Sequence, residues 1–180
     1  MNHSFLKSER VFLRALEPED LEILYTMEND SETWDVSNFT VPYSHYLLKQ
    51  YIADNQADIF ADRQLRLIIA QVGTGTVLGT IDVTDFSPIH ARGDVGISLL
   101  RCYRGQGYAI EALRLLCEYF FRFLNLRQLT AHVAADNTSS LKLFQTCGFR
   151  PCGLLKEWWR VENEYRDVVV LQLLSADTKK

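Results

Sequence analysis

The run Arg104-Gly105-Gln106-Gly107-Tyr108-Ala109 joins an alternating segment to an amphipathic one, and that junction is where the chain offers chemistry. Upstream, Val95, Ile97 and Leu99 alternate with Asp94, Gly96 and Ser98, the period-two pattern of a half-buried strand. Downstream, Leu113, Leu116, Cys117, Phe120 and Leu124 recur at helical spacing, with the charged residues Glu111, Arg114, Glu118 and Arg122 opposite them. A glycine-bearing turn at a helix start leaves several backbone N–H groups unpaired, and the helix dipole adds positive character there. Such a turn suits phosphate oxygens. The loop therefore predicts a phosphorylated ligand, and its surroundings must say which.

Two familiar phosphate loops do not fit. A Walker loop needs Gly-x-x-x-x-Gly-Lys-Ser/Thr, and the sequence contains no such run. A dinucleotide fold needs a third small residue where Ile110 stands, and an acid at the end of the next strand. That strand, Leu129 to Ala134, has no acid before Asp136, and the segments ahead of the loop read as hairpins rather than a βαβ repeat.

The elements that must position the loop are legible from periodicity and punctuation. Arg10 to Leu16 alternates as a first strand, and Glu17-Pro18-Glu19-Asp20 opens a helix carrying Leu21, Leu24 and Tyr25. Residues 31–43 are less regular, with Trp34, Phe39 and Pro42, and a helical stretch follows over 44–60. Leu65 to Val72 and Val77 to Thr84 read as a hairpin around Gly73-Thr74-Gly75. Pro88 and Gly93 mark a loop before the strand that ends near Leu100. After the central helix, Leu129, Ala131 and Val133 alternate as a strand. Asp136 or Asn137 then caps a short helix that closes at Gly148. Glu157 to Val161 and Arg166 to Leu174 are expected as two strands joined by Glu162-Asn163-Glu164. Hairpins with helices between them predict an α+β class with a mixed sheet.

At 180 residues, 47% apolar and 23% charged, residues 1–180 are expected to form one domain. A net charge of −4, without a basic run beyond Lys179-Lys180, argues against a nucleic-acid partner. No stretch approaches the ~20 consecutive apolar residues of a membrane span. Met1-Asn2-His3-Ser4 lacks the layout of a secretion signal, so a cytoplasmic location is expected, with Cys102, Cys117, Cys147 and Cys152 as reduced thiols. His3, His45, His90 and His132 lack metal-ligand spacing, so no metal is expected. His132 alternates outward on its strand and reads as a structural or surface histidine.

With these elements in order, Arg104-x-x-Gly107-x-Ala109 resembles the pyrophosphate loop of the GNAT superfamily of N-acetyltransferases, whose pattern is Arg or Gln, two residues, Gly, one residue, Gly or Ala. The strand before it, the helix it opens, Asn137-Thr138-Ser139-Ser140 and Gly148-Phe149 follow the superfamily's core in sequence. From Arg10 to Leu174 the chain is similar to the branch holding spermidine/diamine N-acetyltransferases and ribosomal-protein N-terminal acetyltransferases. The stretches that carry this are Val11–Leu21, Ile89-His90, the loop, Gly153–Trp159 and Glu164-Tyr165-Arg166-Asp167. The resemblance implies a GNAT-like fold, a mostly antiparallel sheet with helices on both faces, and acetyl-CoA as co-substrate.

It also implies roles. Backbone groups of Ile97, Ser98 and Leu99 would align the pantetheine arm, and amides of Arg104, Gly105, Gln106, Gly107, Tyr108 and Ala109 would take the pyrophosphate. Asn137, Ser140 and Phe144 complete the cofactor side. The chemistry is attack by a neutral amine on a thioester, and deprotonating an alkylamine near pKa 10.4 costs about 4–5 kcal/mol at pH 7. Asp94, at the head of the cofactor strand, is the candidate base; a solvated strand-start acid is the alternative reading. Asp82, Asp85 and Glu157 are candidate ammonium ligands, and Trp34 falls in the segment that covers the amine site in relatives. Of Trp158 and Trp159, on opposite strand faces, at most one can line a substrate channel. Many relatives carry a tyrosine seven residues after the helix-start Asn to protonate the departing thiolate; here that position is Phe144.

The expected activity is acetyl transfer to a primary amine, most simply a polyamine such as spermidine. A protein amino terminus, or a non-catalytic acyl-CoA-binding role, is the alternative. By resemblance, a homodimer or larger homo-oligomer is expected.

Overall fold

The structure, a computed structural model, describes residues 5–30, 42–55, 58–161 and 163–177. Seven strands form one sheet in the order β1-β2-β3-β4-β5-β7-β6. They are β1 (Val11–Arg14), β2 (Leu65–Gln71), β3 (Val77–Ser87), β4 (Arg92–Leu99), β5 (Gln128–Ala134), β6 (Arg150–Val161) and β7 (Glu164–Leu174). Only β4 and β5 run parallel. Among the described residues the α-helices are α1 (Leu21–Glu28), α2 (His45–Asp54), α3 (Ile59–Asp62), α4 (Tyr108–Glu118) and α5 (Thr138–Thr146). This is the mixed, mostly antiparallel α+β sheet that the hairpin spacing predicts.

The two faces of the sheet differ in composition, and α4 shows why. Its Leu113 and Leu116, with Phe120 in the π-helical turn that follows, have no exposed surface. Each burial contributes about 1.5–3 kcal/mol. They pack on Ile81, Val83, Val95, Leu129, Ala131, Val133, Leu171 and Leu173, with Phe144 of α5 and Phe149. The opposite face of the same strands carries Arg66, Thr80, Asp82, Asp94, Ser98, Thr130 and His132. Here α1 and α2 build a smaller cluster from Leu24, Leu48 and Ile52. Helices thus cover both faces, an apolar one under α4 and α5 and a polar one under α1.

Several sequence expectations need correction. The stretch 44–60 is not one helix: α2 ends at Asp54, and Asp58 starts α3 by accepting from the amides of Phe60 and Ala61. Gly93 lies inside β4 rather than in a loop, and β3 runs past Thr84 to Ser87. β6 begins at Arg150, seven residues earlier than apolar alternation suggests, because this edge strand is exposed along most of its length and so lacks a buried period. Its register shifts between Leu155 and Trp159, around a positive φ of 50° at Glu157, which is a β-bulge. β7 starts at Glu164, leaving a shorter turn than expected. Among the described residues, no helix is long and apolar enough to cross a membrane.

One ion pair fastens β1 to the entry of α1. Asp20 is 3% exposed and accepts from both Arg14 Nη1 and Nη2 at 2.7 Å and from the Glu17 amide at 2.9 Å. Burial pushes its carboxyl up, but Arg14 and the Glu17 amide outweigh burial and hold it below the usual range. The stabilisation is therefore full above the unfolded carboxylate value near 4 and is lost as pH falls through the lower folded value. Asp20→Asn is expected to cost about 1.5–3 kcal/mol at pH 7. Melting curves between pH 7 and pH 3 should show the gap to wild type closing only in the acid range.

Candidate active site

The site begins where the sheet comes apart. β4 and β5 pair through Arg92↔Gln128, Gly93↔Leu129 and Asp94↔Thr130, and there their ladder stops. Beyond that rung β4 stays with β3 as far as Gly79↔Leu99, and β5 stays with β7 as far as Ala134↔Val168. The facing edges, residues 95–99 and 131–134, therefore diverge as a fork. Their N–H and C=O groups can pair with an extended, amide-bearing ligand as a strand would.

A cavity of about 220 Å³ fills the fork. Its walls include Gly96, Ser98, Asp82, Arg66 and His132 from the polar face, and Val95, Ile97, Val133 and Phe144 from the apolar face. The opening therefore passes through the sheet, so groups entering from opposite faces can meet in it. Gly96 is central to this. A Cβ built on it would have no atom within 4 Å, so its missing side chain adds free space to the cavity.

The polar end is charged in a defined way. Arg66 Nε donates to Asp82 Oδ1 at 2.6 Å and Arg66 Nη1 donates to Glu28 Oε1 at 2.5 Å, tying α1 to β2 and β3. Burial disfavours the guanidinium charge, but the two carboxylates hold it firmly protonated. Among the described residues, two acids and one base give this corner one negative charge. Met27 and Trp159 complete the wall.

The loop side is braced for anions. Gly105 and Gly107 have φ of 74° and 85°, values that side-chain-bearing residues rarely adopt, and no side chain caps α4. The Arg104 amide, expected to meet the pyrophosphate, instead donates to the Arg101 carbonyl at 3.2 Å, and the next backbone donor is the Glu111 N–H, to the Gly107 carbonyl at 3.3 Å; the amides between them are left for a ligand. Arg104 Nε donates to the Leu99 carbonyl (2.9 Å), and Gln106 Nε2 to the Cys102 carbonyl (2.8 Å). Arg10 bonds the Gln106 carbonyl, pairs with Glu111 and lies over the Tyr108 ring. Asn137 Oδ1 caps α5 by accepting from the Ser140 amide at 3.1 Å, and both residues line the cavity. Uncapped amides beside an open strand edge suit a phosphorylated ligand with an extended, amide-bearing arm.

Of the residues singled out from sequence, the fork assembles Ile97, Ser98, Asn137, Ser140, Phe144 and Asp82 in one cavity wall. Leu99 is buried just beyond, at the start of the loop. Asp94 keeps its place at the head of β4, but its carboxylate meets Thr130 Oγ1 (2.7 Å) and His132 Nδ1 (2.8 Å) and is not part of the lining. Asp85 and Glu157 stand apart from the cavity: Asp85 is exposed and paired with Arg92, and Glu157 projects from the β6 bulge. Trp159 lines the cavity while Trp158 is 59% exposed, which settles the two tryptophans. Trp34 lies outside the described residues. Cys102 and Cys147 are absent from the lining, and burial pushes the Cys147 thiol up, away from a nucleophilic thiolate.

Arg66, Glu28, Gly96 and His132 escaped the sequence reading. A signal existed for Arg66, since an arginine inside the apolar run Leu65-Arg66-Leu67-Ile68-Ile69 must find carboxylate partners. None existed for Glu28, which only the packing of α1 brings near.

Comparison with known proteins adds an independent line. The sequence model of the family described as Acetyltransferase (GNAT) domain matches residues 10–150. An uncharacterized N-acetyltransferase, p20, of Bacillus licheniformis is 30% identical over 173 residues, 96% of this chain and 97% of that protein. Spermidine N(1)-acetyltransferase of Vibrio cholerae is 26% identical over 94% of this chain and 95% of its own length. Among solved structures, spermidine N-acetyltransferase from Vibrio cholerae in complex with CoA and spermine superposes with a TM-score of 0.85 at 24% identity, covering 96% of this chain and all of that one. A dodecameric structure of the Vibrio cholerae enzyme gives a TM-score of 0.81 at 23% identity, covering 96% and 98%.

Gly96→Val tests the through-sheet cavity. The new Cβ has no protein atom within 4 Å and the residue occupies a strand, where a β-branched side chain is favoured, so the melting free energy is expected to stay within about 0.5 kcal/mol of wild type. Turnover of acetyl-CoA should fall by more than about tenfold, equivalent to about 1.4 kcal/mol of barrier. Unchanged turnover in a folded variant would remove Gly96 from the site.

Proposed function

The chain belongs to the acetyltransferase (GNAT) domain family and is an N-acetyltransferase, and from that premise we propose that it acetylates a primary amine, with a polyamine such as spermidine as acceptor. Enzymes of this family use acetyl-CoA, which when bound supplies a thioester carbonyl open to attack by an amine. The uncapped amides from Gly105 to Ala109 would hold its diphosphate. The β4 edge at Ile97, Ser98 and Leu99 would hold its amide-bearing arm, with Asn137 and Ser140 alongside. An N–H on that edge is suited to stabilise negative charge developing on the carbonyl oxygen.

The observation that carries the acceptor reading is the corner formed by Asp82, Glu28 and Arg66 on the polar side of the fork. Its single net negative charge suits one ammonium group. The narrow cavity bordered by Met27 and Trp159 suits an alkyl chain. A relative named for spermidine acetylation over nearly its whole length supports the same choice. Asp85 and Glu157 lie outside this corner and are not assigned to the acceptor.

Arg66 also favours a second reading. By cancelling one of two acids it leaves charge for a single ammonium group, which a protein amino terminus also presents. Phe144, 3% exposed in the cavity wall, offers no hydroxyl to the departing sulfur. A thiol with a pKa near 8.5 can leave as thiolate and take its proton from water. On the same footing, we place residues 1–180 as one acyl-transfer domain of a cytoplasmic homo-oligomer, its exposed β6 with Leu154 and Trp158 being the edge available for self-association.

Free-thiol release from acetyl-CoA, measured with spermidine, spermine and amino-terminal peptides, separates the readings. Spermidine is expected to raise release at least about tenfold above background, a barrier difference of about 1.4 kcal/mol. Stimulation by peptides alone would replace the polyamine with the protein terminus. Stimulation by none would overturn both acceptors.

A further inference from the structure

We propose that His132 is the side chain that takes the proton from the acceptor amine, with Asp94 acting through it as a positioning residue; this rests on the acetyl-transfer reading above. Asp94 and Thr130 form the last rung of the β4–β5 ladder, and His132 is the next residue on the same face of β5. The dyad therefore stands at the base of the fork. Gly96, two residues beyond Asp94, adds no side chain to that face, and both Gly96 and His132 line the cavity.

The hydrogen bonds fix the imidazole. Asp94 Oδ1 lies 2.8 Å from His132 Nδ1 and accepts from the Thr130 hydroxyl at 2.7 Å. An ionised carboxylate only accepts, so Nδ1 carries the hydrogen, and in the neutral ring Nε2 then holds the lone pair. The ring, with its side chain 36% exposed, reaches the cavity that the carboxylate does not. The other ionisable groups in the lining are Glu28 from α1, Arg66 from β2 and Asp82 from β3. Arg66 pairs with both of those acids, which suits them to hold the ammonium in place, while Nε2 of the neutral ring is the nitrogen suited to take its proton.

The step balances without any other reagent. One N–H proton of the acceptor ammonium passes to Nε2, directly or through one water, and the imidazolium formed is paired with the Asp94 carboxylate. The freed nitrogen lone pair forms the C–N bond to the thioester carbon. The C–S bond breaks with its electron pair going to sulfur. The amide nitrogen releases a second proton, and sulfur takes up one from water. His132 returns its proton to solvent, so one proton leaves per turnover.

The test uses the full chain, with spermidine as probe amine. His132→Gln is expected to lower kcat by about 10²-fold or more, the scale of a general base, and to flatten the acid limb of its pH profile. Calorimetric affinity for CoA should be unchanged. Asp94→Asn should lower kcat, while Asp94→Glu recovers part of it. A second readout needs no turnover: long-range ¹H–¹⁵N correlation on the free protein, with His132 assigned from the His132→Gln spectrum. The Nδ1–H tautomer is expected in wild type and the Nε2–H form in Asp94→Asn. Full kcat in His132→Gln, or an Nε2–H tautomer in wild type, would overturn the dyad. Absence of turnover by wild type with spermidine strikes the acceptor reading alone, and the tautomer then decides the dyad.

Discussion

The early parting of β4 from β5 is the constraint on which the site depends. Three paired residues hold the two strands together, and past Asp94↔Thr130 each follows its other neighbour, β3 or β7. Peptide groups in a sheet interior normally pair, because burying them unpaired costs free energy. A sheet that opens in its middle therefore presents two strand edges at its centre instead of its rim. Around that opening the apolar face brings α4 and α5 with their glycine loop and Asn cap, and the polar face brings Arg66, Asp82, Asp94 and His132. The two faces of the sheet thus carry different chemistry, and residues of both line the cavity in the fork.

Charge on the polar side is set by compensation rather than accumulation. Arg66 is mostly buried and bonds Asp82 and Glu28 at once, so none of the three is an isolated buried ion. Removing one member of such a set leaves an uncompensated charge, which costs more than the set gains over an apolar replacement. The triad accordingly fixes α1 over the cavity and limits the charge that an acceptor meets.

Much of this was readable in the sequence, and the gaps have physical causes. The glycine loop, the amphipathic α4, the Asn137 cap and the alternation of β4 are local signals, since each depends on residues within one or two turns of each other. The loop side is built almost wholly from such segments, and Ile97, Ser98, Asn137, Ser140 and Phe144, which the family resemblance singled out, all line the cavity there. The acceptor side is assembled from α1, β2, β3, β5 and β6, distant in sequence, and register alone brings them together. Hence Asp82 was picked out without Arg66, and Asp94 without the histidine 2.8 Å from its carboxylate. His132 was read correctly as pointing away from the apolar core, but outward on its strand proved to mean into the cavity. β6 was undercalled because an exposed edge strand has no buried face to impose a period.

Backbone amide exchange, followed residue by residue with and without CoA, tests the fork most directly. Binding should slow exchange at two separated places: along the β4 edge at residues 97–99, and at residues 105–109 where α4 begins. The exposed strand β6 should be unaffected. Slowing confined to the loop, with the β4 edge exchanging as before, would contradict the account, because the arm would then lie elsewhere and the opening in the sheet would have no part in the reaction.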